Sequence, residues 1–439
     1  MPNTDNPNVL IISYYWPPSS GSGVQRWMYF AKYLSEYGIH PIVLTVDPKR
    51  ASYRKTDESF NKFIEGIEVH KTKTLEPLKL YSLLTTGSAK KGIPQGGVGA
   101  EKKGLFSKIS RYIRGNIFIP DARIGWKRYA IKEAKKIIKT QNTHTIITTG
   151  PPHSTHLIGR VLKRSTNINW IADLRDPWTE IYYNSDLLQS EKSKIKDQKL
   201  EQSVLVEADH ILTIGPSMAE LLAKKIPEQK DKVSYIYNGY DADKMASVQG
   251  EKSTDFMIIS FVGLLSNAMP HKSISEALDS VVNSHSSSKI KLRLVGDICD
   301  SFIDKVKTIL PPNQIEIVGY VAHREALRLM KSANVLFTCL PTQKHSKIMI
   351  SGKLLEYMAT GNPILCIGDP KSDAAVMLST SPNSLVCAPD QIIKIAKYIN
   401  QKYVDWSNGK LNTEIPKQVK KLSRYKTTAQ LAELIKKLN

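Results

Sequence analysis

Nothing in this sequence reaches about 18 consecutive apolar residues, which excludes a membrane-spanning helix. Lys and Arg are missing from the opening Met1-Pro2-Asn3-Thr4-Asp5-Asn6-Pro7-Asn8, so the start does not read as a secretory signal, and the expected location is the cytoplasm. Cysteine is scarce. Cys299, Cys339, Cys366 and Cys387 all fall in the second half, in or beside apolar strand-like runs and without a CxxC pair. That argues against zinc and against a disulfide framework and leaves buried reduced thiols. HExxH, Walker A and GxSxG patterns are also absent. Acidic residues are short too, 41 Asp and Glu against 62 Lys and Arg, for a net charge of +21. Such an excess implies an anionic partner, whether nucleic acid, anionic lipid or a phosphorylated substrate.

What is present is a globular composition, 41% hydrophobic and 23% charged over 439 residues, a length that fits two domains. The run Val9-Leu10-Ile11-Ile12-Ser13 reads as a doubly covered parallel strand, followed by a Pro/Ser/Gly loop and a helix from about Val24 to Tyr37. Further strand-like runs are Pro41 to Val46, Thr145 to Thr149, Asn169 to Asp173, His210 to Ile214 and Val233 to Tyr237. A second series begins at Met257 and continues with Lys291 to Val295, Ile315 to Val318, Val335 to Cys339, Pro363 to Cys366 and Ser384 to Cys387. Helical stretches between them predict an α/β chain of two tandem Rossmann-like domains, 1–240 and 241–415, with the polar stretch Asp241 to Asp255 as linker. Beyond residue 415 a basic amphipathic tail with Leu431, Leu434, Ile435 and Leu438 on one face predicts a helix packed on a domain.

Residues 74–116 break the alternation. They hold a Gly/Lys-rich segment, Gly87 to Gly99, expected to be mobile, and then Leu105, Phe106, Ile109, Tyr112 and Ile113 on one helical face with Lys108, Arg111 and Arg114 on the other. Such a helix suits an anionic membrane surface or docks its apolar face on the domain core.

The segment from Ser351 to Leu365 reads as a short helix opened by a small-residue turn, closed by Gly361 and followed by a buried strand. Its start, Ser351-Gly352-Lys353-Leu354, aims unpaired N–H groups and a positive dipole end forward, which suits a phosphate. Glu356, one turn in, can accept hydrogen bonds from the paired hydroxyls of a ribose. Together these describe a nucleotide diphosphate site. Gly263 ends the opening strand of the second series, and Lys272, just before a helix, can neutralise a diphosphate there. In the first series, Gly21-Ser22-Gly23 lies between strand and helix, where glycines admit a substrate or a facing loop. It lacks the GxGxxG spacing, which disfavours a nicotinamide enzyme. Gly150-Pro151-Pro152-His153-Ser154-Thr155-His156 and Asp173-Leu174-Arg175-Asp176-Pro177-Trp178 each follow a strand, where open α/β sheets bind ligands. Arg175 also has a plain structural role open to it, pairing with Asp173 or Asp176. Asp241-Ala242-Asp243 matches a DxD metal pattern but reads as a helix cap.

Taken in order, these segments resemble the family 4 glycosyltransferases of the GT-B fold. The resemblance runs from Tyr15-Trp16-Pro17-Pro18 and Gly21 to Arg26, through Tyr237-Asn238-Gly239-Tyr240-Asp241, to Gly263, Val295-Gly296-Asp297, Val318-Gly319-Tyr320-Val321 and Lys353 to Pro363. Gly150 to Ser154 followed by Asp173 to Trp178 is similar to a bacterial subgroup that builds surface polysaccharides or other glycoconjugates. The resemblance implies two domains facing a central cleft and a C-terminal helix, 416–439, crossing back to the first. It also implies a ribose-binding Glu356, a diphosphate-binding Lys272, a nucleobase against Tyr320 and Val321, and an acceptor-side loop at Gly21 to Gly23. Three positions depart from the family pattern. Ile348 stands where a second glutamate touches the donor sugar, Leu264 where an arginine holds the diphosphate, and Asp173 to Asp176 where an acceptor-side histidine motif is usual; Arg175, Lys353 or Lys347 can supply the missing charge.

The implied activity is retaining transfer of a sugar from a nucleotide diphosphate sugar, in the first instance a UDP-sugar, to a hydroxyl of a lipid-linked or other glycan, with no metal and no cofactor. Asp173, Asp176 and His153 are candidate bases, with Arg175 and Lys272 as catalytic cations. The basic charge then suits a protein peripheral on the inner face of the plasma membrane. The rivals are a GT-B epimerase, a catalytically silent GT-B binding protein, and a nucleic-acid binder. The last is disfavoured because aromatics are not interleaved with basic residues and no helix-turn-helix or zinc spacing is present.

Overall fold

Uninterrupted runs of β-branched residues and leucine form central strands that need cover on both faces, and among the described residues thirteen strands, edge strands included, build two parallel sheets. A computed structural model describes residues 6–53, 56–76, 105–181, 187–284, 289–342, 346–381, 383–411 and 413–439; the side chains of Ser22 and of 105–110 lie outside that description. The chain divides into one unit of Met1–Tyr237 with Thr427–Asn439 and another of Asn238–Lys426.

The first unit holds β1 (Asn8–Ile12), β2 (His40–Val46), β3 (Glu68–Thr72), β4 (Thr145–Gly150), β5 (Asn169–Leu174), β6 (His210–Thr213) and β7 (Val233–Tyr235), in the spatial order β3-β2-β1-β4-β5-β6-β7. Strand β3 was not foreseen from its sequence, Glu-Val-His-Lys-Thr. It is a half-buried edge strand, paired among the described residues with β2 alone, and so needs no continuous apolar run. Order reverses between β1 and β4, and the loops leaving their carboxyl ends are Ser13 to Gly21 and Pro151 to His153. The core packs Val9, Ile11, Trp16, Trp27, Phe30, Val43, Ile147 and Ile171. Leu431, Ala432 and Ile435 of the last helix, Arg424–Leu438, are buried in the same core, with Leu434 and Leu438 beside them. The amphipathic face read from the sequence is thus covered by the first unit's core.

The second unit holds β8 (Met257–Leu265), β9 (Ile290–Ile298), β10 (Ile315–Gly319), β11 (Val335–Cys339), β12 (Ile364–Ile367) and β13 (Leu385–Cys387), ordered β10-β9-β8-β11-β12-β13, with the reversal between β8 and β11. Strands β8 and β9 run past Gly263 and Gly296, which face each other in register with φ of 125° and 108°. A Cβ on Gly296 would sit 2.2 Å from the Gly263 carbonyl oxygen, so the close approach requires glycine. The expected linker carries a short helix, Ala242–Ala246, whose N-cap Asp241 accepts from the Lys244 N–H at 3.0 Å. That is the cap read from Asp241-Ala242-Asp243.

Of the insertion, the Gly/Lys-rich segment lies outside the described residues. The helix after it, Leu105–Asn116, is formed. Asn116 anchors its end, donating to the Leu188 carbonyl and accepting from the Ser190 N–H, both at 2.7 Å, while Tyr112 is exposed. Among the described residues no helix is long and apolar enough to cross a membrane.

Candidate functional site

In the second unit the helix Gly352–Thr360 presents its first turn at the carboxyl end of the sheet. Ser351, its N-cap, is extended and makes no side-chain capping bond; Gly361 closes the helix in the left-handed conformation. Leu354, Leu355, Tyr357 and Met358 are buried. Tyr357 fixes the helix to β8, its hydroxyl accepting from the Val262 N–H at 2.8 Å, one residue before Gly263. Glu356 lies on the flank and its Oε1 is 2.8 Å from His323 Nε2. His323 opens the helix His323–Ser332, directly after the Tyr320-Val321 segment. Sequence reasoning did not single it out, although its place three residues past Tyr320 was a usable signal. Tyr320 is 93% exposed and Val321 half-buried, so the ring is free to lie on a flat ligand.

Lys353 brings a charge into the same crevice. Its Nζ is 3.7 Å from the Phe261 ring centre, and a Cβ on Gly263 would touch it at 3.5 Å. Burial lowers its pKa to about 8, while burial raises the thiols of neighbouring Cys339 and Cys366 to about 12. Lys272 is exposed and begins the helix Lys272–Ser284. The loop before it is held to the end of β11, where the Cys339 thiol donates to the Pro270 carbonyl at 3.9 Å. Leu264 is 54% exposed, and Ile348 is half-buried in a short turn, Ser346–Ile348.

In the first unit the ends of β4 and β5 are tied together. Arg175 donates from Nε to Thr149 Oγ1 and the Gly150 carbonyl, each at 3.1 Å, and from Nη2 to the Pro151 carbonyl at 2.9 Å. Its Nη1 lies where a Cβ on Gly23 would be, 1.4 Å away, so the facing loop that Gly21-Ser22-Gly23 admits is the one carrying Arg175. Burial lowers the guanidinium pKa, opposed by Asp173 and Asp176; burial raises that of Asp176, opposed by Arg175.

Asp173 departs from the expectation of an acceptor-side base. It is closed to solvent, and its carboxylate accepts from Arg26 Nη2 at 3.1 Å, Trp27 Nε1 at 2.7 Å and Thr149 Oγ1 at 2.9 Å. Three donors and no access to solvent make it a tie between β5 and the first helix, Ser22–Leu34. Arg26 was visible only as the end of the Gly21 to Arg26 run, and Trp27 lay just beyond it. Asp121, which no sequence signal marked, accepts from the Ser154 N–H at 2.7 Å and Oγ at 2.8 Å, capping the helix Ser154–Ser165 that follows β4.

His153 is different. It is buried and stacked on Trp178 at 4.8 Å with 9° between the planes, and among the described residues neither ring nitrogen has a hydrogen-bond partner. Burial, then the charges of His156, Arg175 and Lys225, hold its pKa well below the ordinary value, so it is neutral at pH 7 and a weak base, with ring nitrogens open to a hydrogen bond. His156 Nδ1 is 2.9 Å from Thr148 Oγ1, and burial followed by Arg175 lowers its pKa to about 3.

Residues 257–405 match the family model for glycosyl transferases group 1, and Gly263, Lys272, Tyr320, His323, Lys353 and Glu356 lie inside that range. Solved structures share the fold along nearly the full length of the chain. A glycosyltransferase from Rickettsia africae ESF-5 aligns at TM-score 0.61 and 16% identity over 99% of both chains. Anabaena Alr3699/HepE in complex with UDP-glucose aligns at 0.57 and 13% over 98% of this chain and 99% of that one. WaaG, a glycosyltransferase involved in lipopolysaccharide biosynthesis, aligns at 0.53 and 11% over 97% and 99%. At such identities the likeness is one of fold, and the fold is GT-B. No curated protein matches the chain.

Proposed function

We propose that this chain, GT-B in fold and matched over 257–405 by the glycosyl transferases group 1 model, moves a sugar from a nucleotide diphosphate sugar, a UDP-sugar first among the candidates, to a hydroxyl of a lipid-linked or other glycan, as in bacterial surface-polysaccharide assembly. The observation that carries this is the coincidence of the group 1 match, 257–405, with Gly263, Lys272, Tyr320, Lys353 and Glu356. In this reading Tyr320 and Val321 meet the base, Glu356 takes the ribose hydroxyls with His323 holding its other oxygen, and Lys272 with the N–H groups at Ser351 to Leu354 receives the diphosphate.

The bond from the anomeric carbon to the leaving phosphate oxygen breaks with negative charge building on the diphosphate, and the acceptor hydroxyl oxygen bonds to that carbon with retention. Preorganised positive potential at the leaving oxygens is therefore the main catalytic need. The acceptor proton passes to the leaving phosphate, with His153 and Asp176 as the groups that order the acceptor side. No metal takes part, so activity persists in EDTA. The surplus of basic residues holds the enzyme at anionic lipid, and flotation with anionic but not neutral vesicles tests that.

The deciding experiment is a thermal-shift screen against UDP, GDP, ADP, CMP and their sugar conjugates, with Glu356→Ala and Lys272→Ala alongside. Stabilisation by one nucleotide, lost in both variants, is expected. No shift with any nucleotide favours the second reading, a silent GT-B binding protein, which the apolar Ile348 and Leu264 motivate; conversion of a sugar nucleotide to its epimer without transfer favours an epimerase.

A further inference from the structure

With no hydrogen bond at either ring nitrogen among the described residues, the plane of His153 is set by packing, and the ring that matches that plane is Trp178. Trp178 is held in turn by a side chain that nothing in the sequence marked. Its Nε1 donates at 2.8 Å to Oδ1 of Asp197, on the helix Glu191–Glu207. Asp197 is buried, the Gln189 side chain is its other donor, and among the described residues no cation pairs with it. Gln189 also lies against Gly115, so Asp197 joins the loop after β5 to the segment that meets the helix Leu105–Asn116.

One turn along the same helix Glu201 is buried as well. Its Oε2 accepts from Thr179 Oγ1 at 2.6 Å and from Lys225 Nζ at 2.7 Å, and the same ammonium donates to Glu180 Oε2 at 2.6 Å. Three carboxylates therefore stand around one ammonium, and Glu180 and Glu201 occupy it. Asp197 is left with neutral donors beside a second carboxylate, a setting that favours the acid over the anion.

We propose that Asp197 is a positioning residue for the acceptor side, fixing the plane of the His153 ring through Trp178, and that this ring shifts when the Asp197 carboxyl gives its proton to solvent. The inference rests on the reading of His153 as a group that orders the acceptor, and adds the residue that orders His153. Burial raises the Asp197 pKa to about 7 against the lowering effect of the Trp178 N–H, with the Glu201 and Asp121 charges adding to the rise.

The titratable and charged groups around Asp197 come from every element packed there. Glu201 shares its helix, Glu180 follows Trp178, Lys225 ends the helix Pro216–Lys225, and Asp121, His153 and His156 lie before and at the start of Ser154–Ser165, with Arg175 beyond them. Burial holds both imidazoles far below neutrality, so neither titrates near pH 7. Burial raises Glu201 and Asp121, which makes them the rivals for any proton released there.

The test is an NMR titration of the full chain from about pH 5.5 to about pH 8.5, with ¹⁵N in the tryptophan indoles and ¹³C at histidine Cε1. Wild type is compared with Asp197→Asn, which keeps an acceptor for Trp178 and cannot ionise, and with Glu201→Gln; Trp178→Phe and His153→Gln assign the two signals. In wild type the Trp178 indole and His153 Cε1 signals are expected to move together with a midpoint near pH 7. Both should be flat in Asp197→Asn, and the midpoint should fall in Glu201→Gln, where a like charge is gone. A His153 signal that titrates in Asp197→Asn as in wild type overturns the proposal, as does one that stays fixed in wild type while Trp178 moves. Titration lost in Glu201→Gln and kept in Asp197→Asn assigns the proton to Glu201 and also overturns it. If Asp197→Asn does not fold, wild type and Glu201→Gln decide: a common midpoint that Glu201→Gln lowers supports the proposal, and its absence overturns it. Because no nucleotide enters these measurements, failure here leaves the donor reading standing, and failure of the nucleotide screen leaves this result standing.

Discussion

The carboxyl ends of the two sheets are built alike and finished differently. In the first unit the polar groups there are largely committed to one another: Asp173 to Arg26, Trp27 and Thr149, Arg175 to Thr149 and two carbonyls, Asp121 to the helix start at Ser154. In the second, among the described residues, Lys353, the helix start at Gly352 and the Tyr320 ring are left without protein partners of opposite character. A saturated network holds shape, because each buried polar group removed leaves another unsatisfied. An unsaturated one is ready for a charged ligand, because the desolvation cost already borne by the free protein is relieved on binding. The contrast sets a saturated first unit against an unsaturated second one, with His153, neutral and, among the described residues, without a partner at its ring nitrogens, as the exception in the first unit.

The largest effect that would break this comparison is expected at Asp173. Asp173→Ala leaves the Arg26 guanidinium buried without its carboxylate and should destabilise the first unit by about 3–5 kcal/mol, read by urea unfolding. A loss under about 1 kcal/mol would show that the network is not what holds the sheet ends.

A second effect is on pH dependence. The folded-state pKa of His156 is about 3 against an ordinary 6.5, so its contribution to stability is complete above about pH 6.5 and is lost as pH falls toward 3. Its share of the slope is about 1.4 kcal/mol per pH unit in that window. Asp121, whose pKa burial raises, acts in the opposite direction, so the difference between wild type and His156→Gln is the quantity to measure. Parallel stability curves for the two proteins would remove His156 as the cause.

The smallest effect is expected at His323. It touches only one oxygen of Glu356 at a partly exposed site, and His323→Ala should weaken nucleotide binding by about two- to tenfold with little change in stability. A loss as large as that of Glu356→Ala would place His323 on the ligand itself.

Much of this was legible residue by residue. Val9 to Ile12 and Met257 to Val262 announced buried parallel strands because both faces of such a strand must be apolar. The alternation of strand and helix then left few topologies open, and the short helix between Ser351 and Gly361 could be read from its small-residue start and glycine stop. Strand β3 was not legible, since an edge strand with one solvated side carries no pattern. Asp173 looked like a functional acid, since its sequence neighbours, Arg175 and Asp176, resemble a site whether or not a distant Arg26 neutralises it.

The amino-acid order by itself determined the class of fold, the two series of strands, the amphipathic C-terminal helix and the position of the helix between Ser351 and Gly361. These depend on local periodicity and on apolar faces that must be covered. Only the tertiary structure decided which charges are spent and which are left. Arg26 lies 147 residues from Asp173 and meets it all the same, whereas Lys353, among 62 basic residues, meets no carboxylate in the described chain. Pairing of charges is a matter of distance in space, and the folding of the sheets sets that distance.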